Sequence, residues 1–78
     1  MEFDHSKLLG RLVERFGTRT ALTQHLGWTK SRLSDRVNNK AHFDAEEIAV
    51  LCAPENLDIP DSEVVSYFFT PKVLFVEP

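Results

Sequence analysis

Residues 18–40 read TRTALTQHLGWTKSRLSDRVNNK, and this stretch decides the fold. Thr18 can cap a helix in which Leu22 and Leu26 recur at i, i+4, and Gly27 stops it, because glycine takes a left-handed conformation without a Cβ clash. Thr29 can cap a second helix with Leu33 and Val37 turned inward. Trp28 stands just before that cap, where it would pack on Leu33 as a hydrophobic staple. Two capped helices of about two turns meeting at a glycine have the sequence form of a helix-turn-helix, whose second helix lies in the major groove of DNA.

At about 100° per residue, Lys30, Ser31, Ser34, Asp35 and Asn38 fall within one polar arc of the second helix, and Leu33 points away from it. These groups can address base edges: Lys30 suits guanine O6 or N7, Asp35 accepts from cytosine N4, and Asn38 suits adenine or a phosphate. Arg32 and Arg36 flank the arc as candidate phosphate contacts. Asp35 has a plainer alternative, a helical ion pair with Arg32 at i−3.

The pattern continues on both sides. Leu8, Leu9, Leu12, Val13 and Phe16 form an apolar stripe over about Ser6 to Phe16, closed by Gly17. Asp44 and Glu47 make an Asp variant of the capping box, Phe43 can staple to Ile48, and Ile48, Leu51 and Cys52 face the core until Pro54. Leu57 and Ile59 lead to Pro60, after which Asp61 or Ser62 opens a last short helix through Val64, Val65 and Phe68. Val73, Leu74, Phe75 and Val76, bounded by Pro71 and Pro78, predict a short strand at about 72–77. Leu22, Leu26, Leu33, Val37, Ile48 and Leu51 are expected to share one core.

Seventy-eight residues with 42% hydrophobic and 27% charged content make one small globular domain. The single cysteine, Cys52, cannot form an internal disulfide, so a domain of this size gains from a second subunit. The net charge of −3 hides a division. Residues 1–40 carry eight cations against four carboxylates, a balance of +4, whereas residues 41–78 carry only Lys72 against eight carboxylates, a balance of −7. A polyanion could meet only the first half. Within it Lys7, Arg11 and Arg15 form a basic row at i, i+4, i+8 that reads more readily as a solvated face than as a phosphate contact.

Several functions lack their chemistry. His5, His25 and His42 are too far apart, with no cysteine at ligand spacing, for a zinc signature. Ser31 and Ser34 have no base in a nucleophile arrangement, no glycine-rich phosphate loop occurs, and no set of acid, base and nucleophile converges, so neither an enzyme nor a cofactor or small-molecule substrate is expected. His25 reads as a surface residue, and His42 as preceding the next cap. The longest apolar run, Ile48 to Ala53, is far short of the roughly 20 residues that span a bilayer, and no signal-peptide pattern opens the chain, so a cytoplasmic protein without a membrane is expected.

The stretch 18–40 resembles the helix-turn-helix of the Cro and CI repressor family of temperate phages, on Leu22, Leu26, Gly27, Thr29, Leu33 and Val37. Ser6, Lys7, Leu8, then Phe16, Gly17, Thr18, then Asn38, Asn39, Lys40, and finally Asp58, Ile59, Pro60 with Tyr67, Phe68, Phe69, look like a family of short phage proteins labelled putative Cro repressors. That family is similar also to small modulators of repression, which bind the phage CI repressor. The resemblance implies an all-α, five-helix, lambda-repressor-like DNA-binding domain over residues 1–78, its helix-turn-helix at about 18–38, with a short C-terminal β-strand. It implies base reading by Lys30, Ser31, Ser34 and Asp35, and backbone contacts by Thr18, Arg19, Asn38, Asn39 and Lys40. The implied partner is double-stranded operator DNA in a bacterial host. Val73, Leu74, Phe75 and Val76 would pair with a twofold mate in a homodimer. The CI repressor is the alternative partner. Two positions depart from the pattern: Thr23 stands where alanine or glycine is usual at the helix crossing, and Arg36 where an apolar residue is common.

Overall fold

The computed structural model describes residues 2–72, and these are mostly helical. Five α-helices follow in order, α1 (Ser6–Phe16), α2 (Arg19–Leu26), α3 (Lys30–Val37), α4 (Ala45–Cys52) and α5 (Val64–Phe68), with a 3-10 turn at Asp61–Glu63 leading into the last. Val73 to Val76, read as a strand and dimer contact, lie outside the described residues.

Local chemistry sets the helix ends. Thr18 accepts from the Ala21 N–H and Thr29 from the Arg32 N–H, so each removes one orphan donor at a helix start. The capping box forms in full at α4: Glu47 N donates to Asp44 Oδ1 at 2.7 Å, and Asp44 N donates to Glu47 Oε1 at 3.0 Å. Gly27 sits at φ 74°, ψ 22°, and the chain turns there from α2 towards α3 with Trp28 N bonded to the Thr23 carbonyl.

One core binds these elements. Leu8 and Leu12 of α1, Leu22 of α2, Leu33 and Val37 of α3, Leu51 of α4, Leu57 and Ile59 of the following loop, and Phe68 of α5 are all buried. Leu26 and Ile48 join it only partly buried. Helix α1 packs on α2 and α5, and α2 on α3. Val13 departs from the expected stripe: it is 59% exposed, because α1 turns Leu8 and Leu12 inward and leaves its neighbour on the solvent side. Val65 is likewise exposed, and Phe68 alone of that helix is fully covered. Thr23 is buried with its hydroxyl donating to the Thr20 carbonyl, so its polar atom is satisfied at the helix crossing.

The basic row on α1 is solvated at Lys7 and Arg15, as expected, but it also anchors a loop. Arg11 Nε donates to the Leu57 carbonyl at 2.7 Å and Arg11 Nη2 to the Asp58 carbonyl at 2.9 Å, while Arg15 reaches the carbonyls of Asn56 and Pro54. These oxygens belong to the loop after α4, where the chain folds back tightly and Asp58 takes a positive φ of 51°. The loop's own bonds run from Leu57 N to the Leu51 carbonyl and from Ile59 N to the Cys52 carbonyl, closing the end of α4. The two arginines therefore satisfy acceptors that the loop cannot satisfy itself. Lys7 pairs with Ser66 and Glu63 and lies over the Tyr67 ring.

The chain ends of the described region meet. Asp4 N donates to the Thr70 carbonyl, Lys72 N to the Glu2 carbonyl, and Phe3 pairs antiparallel with Pro71 in an isolated bridge. Asn39, at φ 61°, holds the same segment from the other side: it accepts from Phe3 N and donates to the Phe3 carbonyl at 2.9 and 3.0 Å.

Candidate nucleic-acid interface

Helix α3 is pinned by its apolar side. Leu33 is 2% exposed and Val37 is buried below it, so the opposite arc faces out. Lys30 and Ser31 are exposed at the start of that arc, Ser34 and Asp35 are half-buried along it, and Asn38 is exposed at its end, donating to Ser34 Oγ at 3.1 Å. The five residues placed together by helical spacing thus lie on the face away from the core. Thr18, Arg19 and Lys40 are exposed as well.

The arginines beside the arc turn towards a residue that sequence reasoning treated only as a cap. Arg32 Nε donates to Glu47 Oε2 at 2.8 Å, and Arg36 Nε donates to Glu47 Oε1 at 2.9 Å. The Glu47 side chain is 2% exposed, against 43% for Arg32 and 21% for Arg36. One buried carboxylate therefore completes the capping box of α4 and bridges two turns of α3. Burial, the largest single influence on Glu47, pushes its pKa up. The hydrogen bond from Arg36, the Asp44 N–H and the bond from Arg32 together outweigh it and hold the carboxyl below its ordinary value.

The two arginines are not equivalent. Arg36 also donates through Nη1 to the Arg32 carbonyl at 3.0 Å. Arg32 instead lays its guanidinium over the Trp28 ring, 4.3 Å from the centroid. Trp28 packs partly on the core, as a staple would, and its other role as a platform for Arg32 was not legible from the cap pattern. Arg32 does not take Asp35 as its ion-pair partner. Among the described residues no cation stands within 4.0 Å of the Asp35 carboxylate.

Asn39, read as a backbone-contacting residue, spends both ends of its side-chain amide on Phe3. His25 is exposed against Phe16, and His42 is exposed beside Phe3. His5, by contrast, is buried, with Nδ1 3.3 Å from the Val37 carbonyl and its ring edge-on to Phe43. It sits where α3 ends and α1 begins, a structural position that its isolated place in the sequence did not signal. Phe43 directs its ring to His5 and Phe68. Among the described residues no helix is long and apolar enough to cross a membrane.

A search of curated proteins finds no match to the chain. Residues 1–71, nearly its whole length, match the family described as "Protein of unknown function (DUF739)", and the chain belongs to that family.

Proposed function

We propose that this protein is a sequence-specific, DNA-binding transcriptional regulator of the Cro type, of phage or prophage origin, in which α2 and α3 act as a lambda-repressor-like helix-turn-helix. One observation carries the reading: α3 buries Leu33 and Val37 and turns a wholly polar arc outward, beginning with the exposed Lys30 and Ser31. Such an arc on an eight-residue helix, joined to a capped helix through Gly27, has the size and chemistry to enter a major groove. Lys30 and Ser31 at the helix start would reach base edges first, with Ser34 and Asp35 one turn further on. Thr18 accepts the Ala21 N–H, which leaves its hydroxyl proton as a donor to phosphate beside Arg19.

The test is a titration against the duplex flanking the gene and against random duplex, at two salt concentrations. Affinity for the flanking duplex tighter than for random duplex by about 10³ or more supports the reading. Equal affinity for both sinks it.

A second reading has one observation in its favour. Asp35 places on the outer arc a carboxylate with no cation within 4.0 Å among the described residues, and residues 41–78 carry a balance of −7. A modulator that covers the basic DNA-reading surface of the phage CI repressor would use that charge. Binding to the neighbouring repressor without specific DNA affinity would select it.

A further inference from the structure

We infer that the two arginines beside the outer arc divide their roles, Arg36 acting as an internal tie and Arg32 as a phosphate contact held in place by Glu47 and Trp28. The inference rests on the DNA-binding reading and specifies which cation of that face meets the backbone.

The geometry separates them. Arg36 has acceptors on both sides, Glu47 through Nε and the Arg32 carbonyl through Nη1, and only 21% of its side chain meets solvent. Swinging it to a phosphate would remove a donor from the buried Glu47 carboxylate, which the low dielectric penalises, and would also break its solvent-facing bond to the Arg32 carbonyl. Arg32 gives only Nε to Glu47, and among the described residues its two terminal nitrogens have no hydrogen-bond partner. Its plane is fixed by Trp28 and its inner edge by Glu47, so the fork of remaining donors is ordered before any ligand arrives. Ordering a long side chain in advance removes a cost that binding otherwise carries. Charge agrees with geometry: Glu47 with its two arginines sums to +1, matching one phosphate rather than two.

Glu47 and Trp28 are therefore positioning residues, and neither touches DNA in this arrangement. A signal for them exists in the sequence only in retrospect: Trp28 and Arg32 stand at i, i+4, and Arg32 and Arg36 repeat that interval on the same side.

The experiment measures affinity for a mixed-sequence DNA duplex across a salt series for the parent, R32A, R36A, R32K and R36K, with the melting midpoint of each. One phosphate contact contributes about 0.9 to the slope of log affinity against log salt. R32A should lower the slope by about that amount with a midpoint close to the parent, because Arg36 still holds Glu47. R36A should lower the midpoint and leave the slope unchanged. R32K should keep the slope and bind several-fold more weakly, since a point charge cannot hold Glu47 with one edge and a phosphate with the other. If R36A does not fold, R36K keeps a donor near Glu47 and should show the parental slope. An unchanged slope in R32A, or equal losses at the two positions, would overturn the division of roles. A parent that binds no duplex at any salt would overturn the DNA-binding reading itself, and the division with it.

Discussion

Arg11 on α1 donates its Nε–H to the carbonyl of Leu57 at 2.7 Å, across 46 residues of chain. With Arg15 on Asn56 and Pro54, this bond ties the first helix to the loop that leaves α4. Two cations that sequence spacing assigns to a solvated face also form the acceptor-matching half of a loop anchor, Arg15 from an exposed position and Arg11 from a partly covered one. Their donors are thereby committed to the loop, although bonds to neutral carbonyls leave both charges in place.

A hydrogen bond from a charged donor contributes about 1.5–3 kcal/mol. R11A loses one such bond at a partly buried site and a second that is open to solvent and worth little, so it is expected to lower stability by about 2 kcal/mol. At roughly 4–8 °C per kcal/mol for a domain of this size, the melting midpoint should fall by about 10 °C. R11K should recover only part of it, since an ammonium does not span the carbonyls of Leu57 and Asp58 as a guanidinium fork does. A midpoint in R11A equal to that of the parent would contradict the anchor.

Glu47 gives the fold a defined acid limb. Its pKa is depressed in the folded chain, because the bonds from Arg36, Asp44 N–H and Arg32 outweigh the upward push of burial. A depressed carboxyl contributes stability that is fully present above its unfolded pKa, about 4.3, and lost as pH falls through the folded value. E47Q should therefore be less stable than the parent at neutral pH, by about 1.5–3 kcal/mol, the worth of a charged hydrogen bond, since the arginines it leaves behind reach solvent. The gap between the two should close as pH is lowered below the ordinary carboxylate range. Parallel midpoint curves from neutral to acid pH would show that the carboxylate charge is not what stabilises this junction. Asp4 is also held below its usual range, by the Ser6 hydroxyl and N–H, and it is common to both proteins, so the difference isolates Glu47.

Much of the helical frame was legible because its signals are local. Thr18, Thr29 and Asp44 cap where they stand, Gly27 turns where glycine alone turns without strain, and Leu22, Leu33 and Leu51 face inward by spacing. What could not be read joins residues far apart in the chain. Glu47 meets Arg32 across 15 positions, Arg11 meets Leu57 across 46, and Asn39 meets Phe3 across 36. Charge spacing along one helix shows which residues share a face, but not what the neighbouring element offers that face. Val13 failed for a related reason: a five-residue apolar stripe is wider than the surface that α2 and α5 cover.

The phase of α3 can be checked on the folded protein alone. Leu33 is 2% exposed and packs into the shared core, so L33A should cost about 2–5 kcal/mol, a large fraction of the stability of so small a domain. V65A removes the same kind of surface from a residue that is 69% exposed and should change stability by less than about 0.5 kcal/mol. Comparable denaturation midpoints for the two variants would mean that α3 is turned otherwise, and the outer arc with it.

The outer arc yields the final test, through the two residues on it that carry opposite charge. Lys30 is exposed at the first position of α3, and Asp35 is half-buried on the same side with no cation beside it among the described residues. If α3 reads a major groove, K30A should relax discrimination at one base pair at a cost of about 1–3 kcal/mol, and its loss on the preferred duplex should exceed that on random duplex. D35A should alter preference at a cytosine while leaving nonspecific affinity unchanged or higher, since it removes a negative charge near phosphate. If the same face instead covers a repressor's basic surface, D35A should weaken the protein complex and K30A should not, because Asp35 then supplies the complementary charge and Lys30 opposes it. The two substitutions thus move in opposite directions for the two partners. Base preference unchanged in both variants, with the repressor complex weakened only in D35A, would replace the DNA reader by the modulator.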